Sequence, residues 1–259
     1  MLGSYELFKT AIYDLSKIDL NSYKERQMKR RIDALITKNG IKSYKEYINK
    51  LKTDNATFQE FLNYITINVS EFYRNPEQWR ILETEVLPAL FEQFGNNLKI
   101  WSAACSTGDE PYSLVMLLSK FLPLKRIKIY ATDIDKQVLE KARLGLYHEK
   151  SLRSLPAEFI EKYFVKINDR TYQISEAIRS CVDFNHHDLL KDPYPSNCDL
   201  IVCRNVLIYF TDDAKNNVYK NFNKSLKKDG VLFVGSTEQI IQANQLGYRS
   251  THSFFYKKI

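Results

Sequence analysis

Two hydrophobic periods divide the chain. Up to residue 94 apolar positions recur every three or four residues, the spacing of amphipathic helices. In YKERQMKRRIDALITKNG, Met28, Ile32 and Leu35 form one apolar face, and Asn39-Gly40 is the predicted stop. Ser43–Leu51, Thr57–Ile67 and Glu77–Phe94 predict further helices, the last interrupted or kinked near Pro88. From residue 98 short β-branched runs alternate with helical segments: LKIWSAA, IKIYATD, VDFN, DLIVCRN and GVLFVG. Between them DKQVLEKARLG opens on an acidic cap and closes at Gly145. That alternation predicts an α/β fold, a mostly parallel sheet with helices on both faces. SFFYKK predicts a final edge strand. Between Tyr147 and Cys181 the spacing lengthens, and VKINDRTYQIS predicts a small hairpin in an insertion.

In open α/β sheets ligands bind at the carboxyl ends of the strands, so the residues just past each strand carry the chemistry. The first strand is followed by Ser106-Thr107-Gly108-Asp109-Glu110-Pro111. A phosphate cradle needs several glycines and free N–H donors, and this turn has one glycine beside two carboxylates. Asp133 closes the second strand, where an acid accepts hydrogen bonds from ribose hydroxyls; it could instead cap the next helix, although Asp135 can fill that role. Asp188, after the third strand, is either an adenine contact or a solvated loop acid. Arg204-Asn205 ends the fourth. A cofactor with ribose and adenine but no phosphate fits this set. S-adenosylmethionine is such a molecule, and Glu110 suits its cationic sulfonium and ammonium groups. Asp109 and Glu110 also complement the dipole of a helix first turn, and both readings can hold together.

Composition narrows the setting. The chain has 259 residues, enough for one large domain or a main domain with a smaller one. No segment approaches the roughly 18 uninterrupted apolar residues of a membrane span, and no signal-peptide pattern opens the chain. Cys105, Cys181, Cys198 and Cys203 form no C-x-x-C pair, so free thiols and a cytoplasmic location are expected. His186 and His187 would face opposite sides of a strand, so no metal is expected. A net charge of +7 calls for an anionic partner, with nucleic acid, membrane surface and acidic protein all open.

ACSTGDEPYS, with ITINVSEFYRNP upstream and CRNVLIYF downstream, resembles the CheR family of chemotaxis receptor methyltransferases. The resemblance runs over nearly the whole chain, through ATDID, ARLGLY, IRSCVDF and DGVLFVGSTE. It implies a Rossmann-like, class I S-adenosylmethionine-dependent methyltransferase sheet with a helical N-terminal domain and a small inserted antiparallel β-subdomain. The implied bounds are residues 1–75 for a basic helical domain, 76–95 for a connecting helix and 96–259 for the methyltransferase domain, with the insertion at about 150–180. The implied activity is methyl transfer to glutamate carboxylates on the cytoplasmic helical region of chemoreceptors, leaving S-adenosylhomocysteine. By motif, Asn68, Ser70 and Arg74 would meet the cofactor's methionine end and the reaction site. Glu110, Asp133, Asp188, Leu189, Arg204 and Asn205 would complete the pocket, and Tyr209 would stand near the transferred methyl or pack behind the strand. The family more often has threonine at Ser70, glutamate at Asp109 and an asparagine-bearing loop at His187-Asp188.

A glutamate nucleophile is already ionised at neutral pH, so no general base is expected. Lys24, Arg26, Lys29, Arg30 and Arg31 form either a docking face for an acidic helical receptor or a solvated charged face. The rival activity is a nucleic-acid methyltransferase, although CRNVLIYF is unlike the N/D-P-P-Y/F loop of enzymes that methylate base amines. A non-catalytic cofactor-binding or receptor-docking module is the other alternative. No glycine occurs in VKINDRTYQISEAIR, which argues against dependence on a receptor C-terminal tether peptide and leaves Tyr172–Ser175 as the strand such a peptide could pair with. A monomer without nucleic acid or membrane insertion is expected.

Overall fold

The structure is a computed structural model that describes residues 2–259. It resolves into two compact units.

The first unit runs to Asn68 and also includes Leu207–Asn217. Its helices are α1 (Tyr5–Ser16), α2 (Glu25–Lys38), α3 (Tyr44–Thr53) and α4 (Asn55–Thr66). Local chemistry sets their starts: the side chains of Ser4, Ser43 and Asp54 accept the N–H groups of Leu7, Glu46 and Ala56. The stripe read on α2 is buried as Met28, Ile32, Leu35 and Ile36, and it meets a core of Phe8, Ile12, Tyr47 and Phe61. Residues 207–217 join this unit by backbone pairing. Lys24 N–H donates to the Tyr209 carbonyl at 2.8 Å and Thr211 N–H to that of Ser22 at 2.9 Å, around a Tyr23–Phe210 bridge.

The second unit opens with α5 (Pro76–Ile81) and α6 (Leu87–Phe94), joined without a break through a π-turn at Leu82–Val86. The irregularity expected near Pro88 is this turn. Pro88 has no N–H and its ring crowds the carbonyl four residues back, and the wider turn relieves both, with Leu87 N–H reaching back to Leu82. Next come β1 (Ile100–Ala103), α7 (Asp109–Leu118), β2 (Ile129–Asp133), α8 (Lys136–Leu144), β3 (Leu146–His148), α9 (Ala157–Tyr163), β4 (Phe164–Asn168) and β5 (Thr171–Ile174). Then follow α10 (Glu176–Arg179), β6 (Val182–His186), β7 (Cys198–Cys203), α11 (Asp212–Ser225), β8 (Leu226–Val234), β9 (Tyr248–His252) and β10 (Phe255–Lys258).

The main sheet has seven strands in the order β6-β2-β1-β7-β8-β10-β9. β6 through β8 are parallel, and β10 runs antiparallel to both of its neighbours. β1 and β7, in the middle, are wholly buried. The order reverses at β1, so the crevice beyond its carboxyl end is the topological switch point. SFFYKK is not the edge strand. It forms β10, paired on both sides, and the edge is β9, whose sequence YRSTH buries only Tyr248 and so lacks a readable alternation. The predicted hairpin is β4–β5, and it acquires a third strand, β3, in a separate sheet of order β3-β5-β4. β5 is therefore paired on both sides, and Tyr172–Ser175 is not free for a peptide, contrary to the expectation above. All four cysteines are free and buried. Among the described residues no helix is long and apolar enough to cross a membrane.

Gly108 closes the β1–α7 turn at φ 89°, and a Cβ there would stand 2.9 Å from Ala142 Cβ and 3.0 Å from the Tyr112 ring. Gly108→Ala should therefore destabilise the protein by about 2–5 kcal/mol, combining left-handed strain with overpacking. Denaturant unfolding measures it, and a loss under about 1 kcal/mol would show that the turn relaxes.

Candidate active site

The site is built from the ends of β1, β2, β6, β7 and β8. Past β1 the backbone coils tightly: Ala104, Ser106 and Gly108 all have positive φ, at 64°, 49° and 89°. Only the last is a glycine, so this loop holds strain that its surroundings must enforce. Asp133 supplies part of that enforcement. One of its carboxylate oxygens accepts the Ser106 N–H at 2.8 Å and the other the Asp135 N–H at 3.0 Å. The cap of α8 is Asp135, which accepts from Gln137 and Val138, so Asp133 is not needed there. Burial lifts the Asp133 pKa to about 6.

The first turn of α7 adds two more buried acids. Asp109 accepts from the Thr107 hydroxyl at 2.6 Å and from Ser70, yet burial dominates and raises its pKa to about 6. Glu110 takes the Ser102 hydroxyl at 2.9 Å and lies 3.6 Å from the Arg204 guanidinium. Its pKa too is raised, chiefly by burial and against the pull of Arg204.

Arg74 lies between two residues of left-handed backbone, Tyr73 at φ 52° and Asn75 at φ 62°. This turn is tied down from several directions. Tyr73 N–H donates to Ser113 Oγ at 3.2 Å, and the Arg74 carbonyl accepts from Arg204 Nη2 at 2.7 Å and from the Trp79 indole at 3.0 Å. Among the described residues, the half-buried Arg74 side chain makes only a 3.3 Å bond to the Val69 carbonyl. Arg204 is itself 8% exposed. Its Nη2 also reaches Gln78 Oε1 at 2.9 Å and Asn75 at 3.2 Å, and the guanidinium lies over the Phe233 ring.

Asn205 follows with φ 62°, its N–H on the carboxylate of Glu238. Among the described residues, the Asn205 side-chain oxygen and the Ser106 hydroxyl are buried without a partner. After β6, Asp188 folds on itself, accepting the Leu190 N–H at 2.8 Å while its own N–H donates to Asp192. Leu189 is buried, and its carbonyl accepts from the Tyr194 hydroxyl. His187 is packed between Trp101 and Tyr194, whereas His186 is exposed.

The other expected residues belong to the helical unit. Asn68 binds the Thr66 hydroxyl at 2.9 Å, and the half-buried Tyr209 follows Leu207 in a short 3-10 turn. The five cations do not form one face. Arg26 and Arg30, four residues apart, are exposed. Lys29 pairs with Asp33 at 2.8 Å, Arg31 stacks on Tyr64 and binds its carbonyl at 2.6 Å, and Lys24 caps α2 with its backbone on Tyr209. With the apolar stripe turned inward, helical geometry puts Lys29 and Arg31 on opposite flanks and leaves Arg26 and Arg30 outward.

Ser70, Arg74, Glu110, Asp133, Arg204 and Asn205 thus come from distant stretches into one site, with Asp188 and Leu189 on the adjoining loop. Two acids not named above as pocket residues adjoin this cluster, Asp109 and Glu238. Asp109 reads with Glu110 as a cofactor or helix-dipole acid, and Glu238 closes the quoted DGVLFVGSTE, three residues after a strand-ending glycine. The acids converge: the buried Cys203 thiol is raised by burial and further by Glu238, Glu110 and Asp133 together. Among the described residues here, desolvated carboxylates outnumber the buried guanidinium beside them, and the Asn205 oxygen and Ser106 hydroxyl stand unused. Those features suit a cationic, hydroxyl-bearing ligand, as S-adenosylmethionine is.

Comparison with known proteins agrees. Residues 68–254 match the CheR methyltransferase SAM-binding domain, and residues 3–66 match the CheR methyltransferase all-alpha domain. A chemotaxis protein methyltransferase of Listeria monocytogenes is 44% identical over 241 residues, covering 93% of this chain and 92% of that protein. Those of Borreliella burgdorferi and Escherichia coli are 35% and 32% identical, over 92% and 88% of this chain and 88% and 81% of theirs. With both domains matched in order along nearly its full length, the chain belongs to the CheR methyltransferase family, and its cofactor is S-adenosylmethionine.

Proposed function

We propose that this protein transfers the methyl group of S-adenosylmethionine to glutamate side chains on the cytoplasmic helical region of bacterial chemoreceptors. The observation that carries the reading is the acidic, buried cluster at the strand ends beside a restrained Arg74 whose side chain is little committed. When bound, the cofactor supplies an electrophilic methyl group on a cationic sulfur. Asp133 would accept the ribose hydroxyls on the lone pairs its backbone bonds leave free, and Asp188 and Leu189 would hold the adenine. Glu110 and the Asn205 side-chain oxygen would take the ammonium group, with Asn68 and Ser70 at the methionine end. Arg204 would act through Glu110 and the Arg74 carbonyl, since it is itself buried.

The receptor glutamate arrives ionised, its ordinary pKa being about 4.3, and needs no base. Arg74 would hold that carboxylate in line with the methyl carbon, and Tyr209 would orient it or line the methyl's path. Orientation of this kind is worth roughly 7–11 kcal/mol. It would explain how a site without an acid–base pair works.

Incubation with methyl-labelled cofactor should label receptor cytoplasmic fragments, as base-labile γ-methyl esters, and leave RNA unlabelled. Arg74→Ala should abolish this labelling, and Tyr209→Phe should lower kcat more than cofactor affinity. Label in RNA would favour the nucleic-acid reading, and none in either would favour a docking module. The insertion carries no glycine for close backbone approach, so receptor fragments with and without their last residues should react at similar rates.

Cofactor affinity should depend on pH through Asp133. Its pKa is raised to about 6, so the unliganded fold is favoured by protonation, an advantage complete below about 4 and lost as pH rises through 6. Cofactor binding needs the ionised acceptor and should weaken as pH falls from 7 to 5. Asp133→Asn should weaken binding by about 1–3 kcal/mol and flatten the profile, leaving what Asp109 contributes. Calorimetry showing unchanged affinity would remove Asp133 from the site.

Arg26 and Arg30 are exposed on α2, whereas the exposed Lys38 at its far end is paired with Glu60, so Arg26 and Arg30 would meet the acidic receptor helices. Reversing both to glutamate should raise KM for receptor and leave cofactor affinity unchanged. Added salt should mimic the effect in the wild type, because exposed charges are screened beyond about 8–10 Å. Normal receptor kinetics in the variant would mark the face as merely solvated.

A further inference from the structure

We propose that Glu238 is a positioning residue of the cofactor site, holding Asn205 in a left-handed turn so that the Asn205 side-chain oxygen faces the cofactor's ammonium group. The inference rests on reading the strand ends as the S-adenosylmethionine site. Glu238 is 5% exposed, and one of its carboxylate oxygens accepts two backbone amides, those of Asn205 and, at 2.9 Å, Gly235. These amides end two neighbouring strands, β7 and β8, so a single oxygen sets the spacing of the two loops. The fit is close. A Cβ at Gly235 would stand 2.6 Å from that oxygen and 2.8 Å from the Asn205 nitrogen, and only glycine leaves room for the bond.

The carboxylate is fixed in its turn. Glu238 N–H donates to the Gly235 carbonyl at 3.0 Å, and the Glu238 carbonyl accepts from the buried Tyr219 hydroxyl. Asn205 has φ 62°, a conformation asparagine tolerates better than most residues but still adopts at a cost. In return its side-chain oxygen is buried with no partner among the described residues. Such an acceptor is disfavoured unless a donor from outside the chain completes it. Glu238 also adds a second negative charge near Arg204 beside that of Glu110, deepening the preference for a cation. Glu238 itself need touch no part of the ligand; it works through Asn205.

The test compares Glu238→Ala, Glu238→Asp, Glu238→Gln, Asn205→Ala and the double variant Glu238→Ala/Asn205→Ala by calorimetry. The ligands are S-adenosylmethionine and 5′-methylthioadenosine, which lacks the ammonium-bearing arm. Glu238→Ala and Glu238→Asp should each lose about tenfold in affinity for S-adenosylmethionine, and Glu238→Gln, which keeps the acceptor oxygen, should recover most of it. The double variant should be no worse than Asn205→Ala, because the residues act as one unit. All should bind 5′-methylthioadenosine as the wild type does. Unchanged affinity for S-adenosylmethionine in folded Glu238→Ala or Glu238→Asp overturns the proposal. Equal losses for both ligands, or multiplying losses in the double variant, overturn it too. Should Glu238→Ala fail to fold, Glu238→Asp and Glu238→Gln decide. A wild type that binds neither ligand would instead overturn the reading of the site.

Discussion

The arrangement depends on a buried guanidinium. Arg204 leaves the end of β7 and grips the Arg74 carbonyl, Gln78 and Asn75 with its Nη2, while Nη1 lies 3.6 Å from Glu110. Removing a charge of this kind strands its partners in a dry interior, which costs far more than an exposed pair is worth. The same group therefore serves two ends. It keeps the strained turn around Arg74 in place, and it tempers the acid nearest the expected ammonium group. Without it, the left-handed residues Tyr73 and Asn75 would keep only the Ser113 and Trp79 bonds to oppose their relaxation.

Local strain concentrates where the strands end. Ala104, Ser106 and Asn205 share the left-handed region with Tyr73 and Asn75, and each lies beside a side chain that holds a backbone amide or carbonyl. Asp133 holds the Ser106 amide, Glu238 the Asn205 amide and Arg204 the Arg74 carbonyl. Charged groups make shorter and stronger hydrogen bonds than neutral ones, and here they are set against backbone strain. The pattern is that of a site preorganised by its own polar interior.

Much of this was legible beforehand for a physical reason. Period-2 and period-3.6 patterns report burial, so the central strands and the α2 stripe could be read directly from Met28, Ile32 and Leu35. β9 escaped because an edge strand with one buried residue has no period, and β3 because three residues carry none. Acids at strand ends are conspicuous, so Asp133 and Glu110 stood out. Glu238 did not, since its work is done on backbone amides of two loops that only the folded sheet brings together. Nor does charge alone tell which cations face solvent. Arg26 and Arg30 differ from Lys29 and Arg31 only in helical phase and in having no Asp33 or Tyr64 beside them.

The acid cluster also links cofactor to protons. Burying carboxylates that have too little positive charge nearby disfavours their ionised form, which is why Asp109 and Asp133 are each raised to about 6. The unliganded protein thus carries groups that resist ionisation near neutral pH. A bound cation reverses the balance, because it stabilises the ionised form that burial opposes. Cofactor binding at these acids would then release protons, the two coupled through the same oxygens. The short arm of Asp109 bears on this coupling. It keeps the carboxylate inside, bonded to Thr107 and Ser70 and fully desolvated. Asp109 thereby ties the NVSEFYR segment to the β1 loop through a group whose ionisation the cofactor's charge favours.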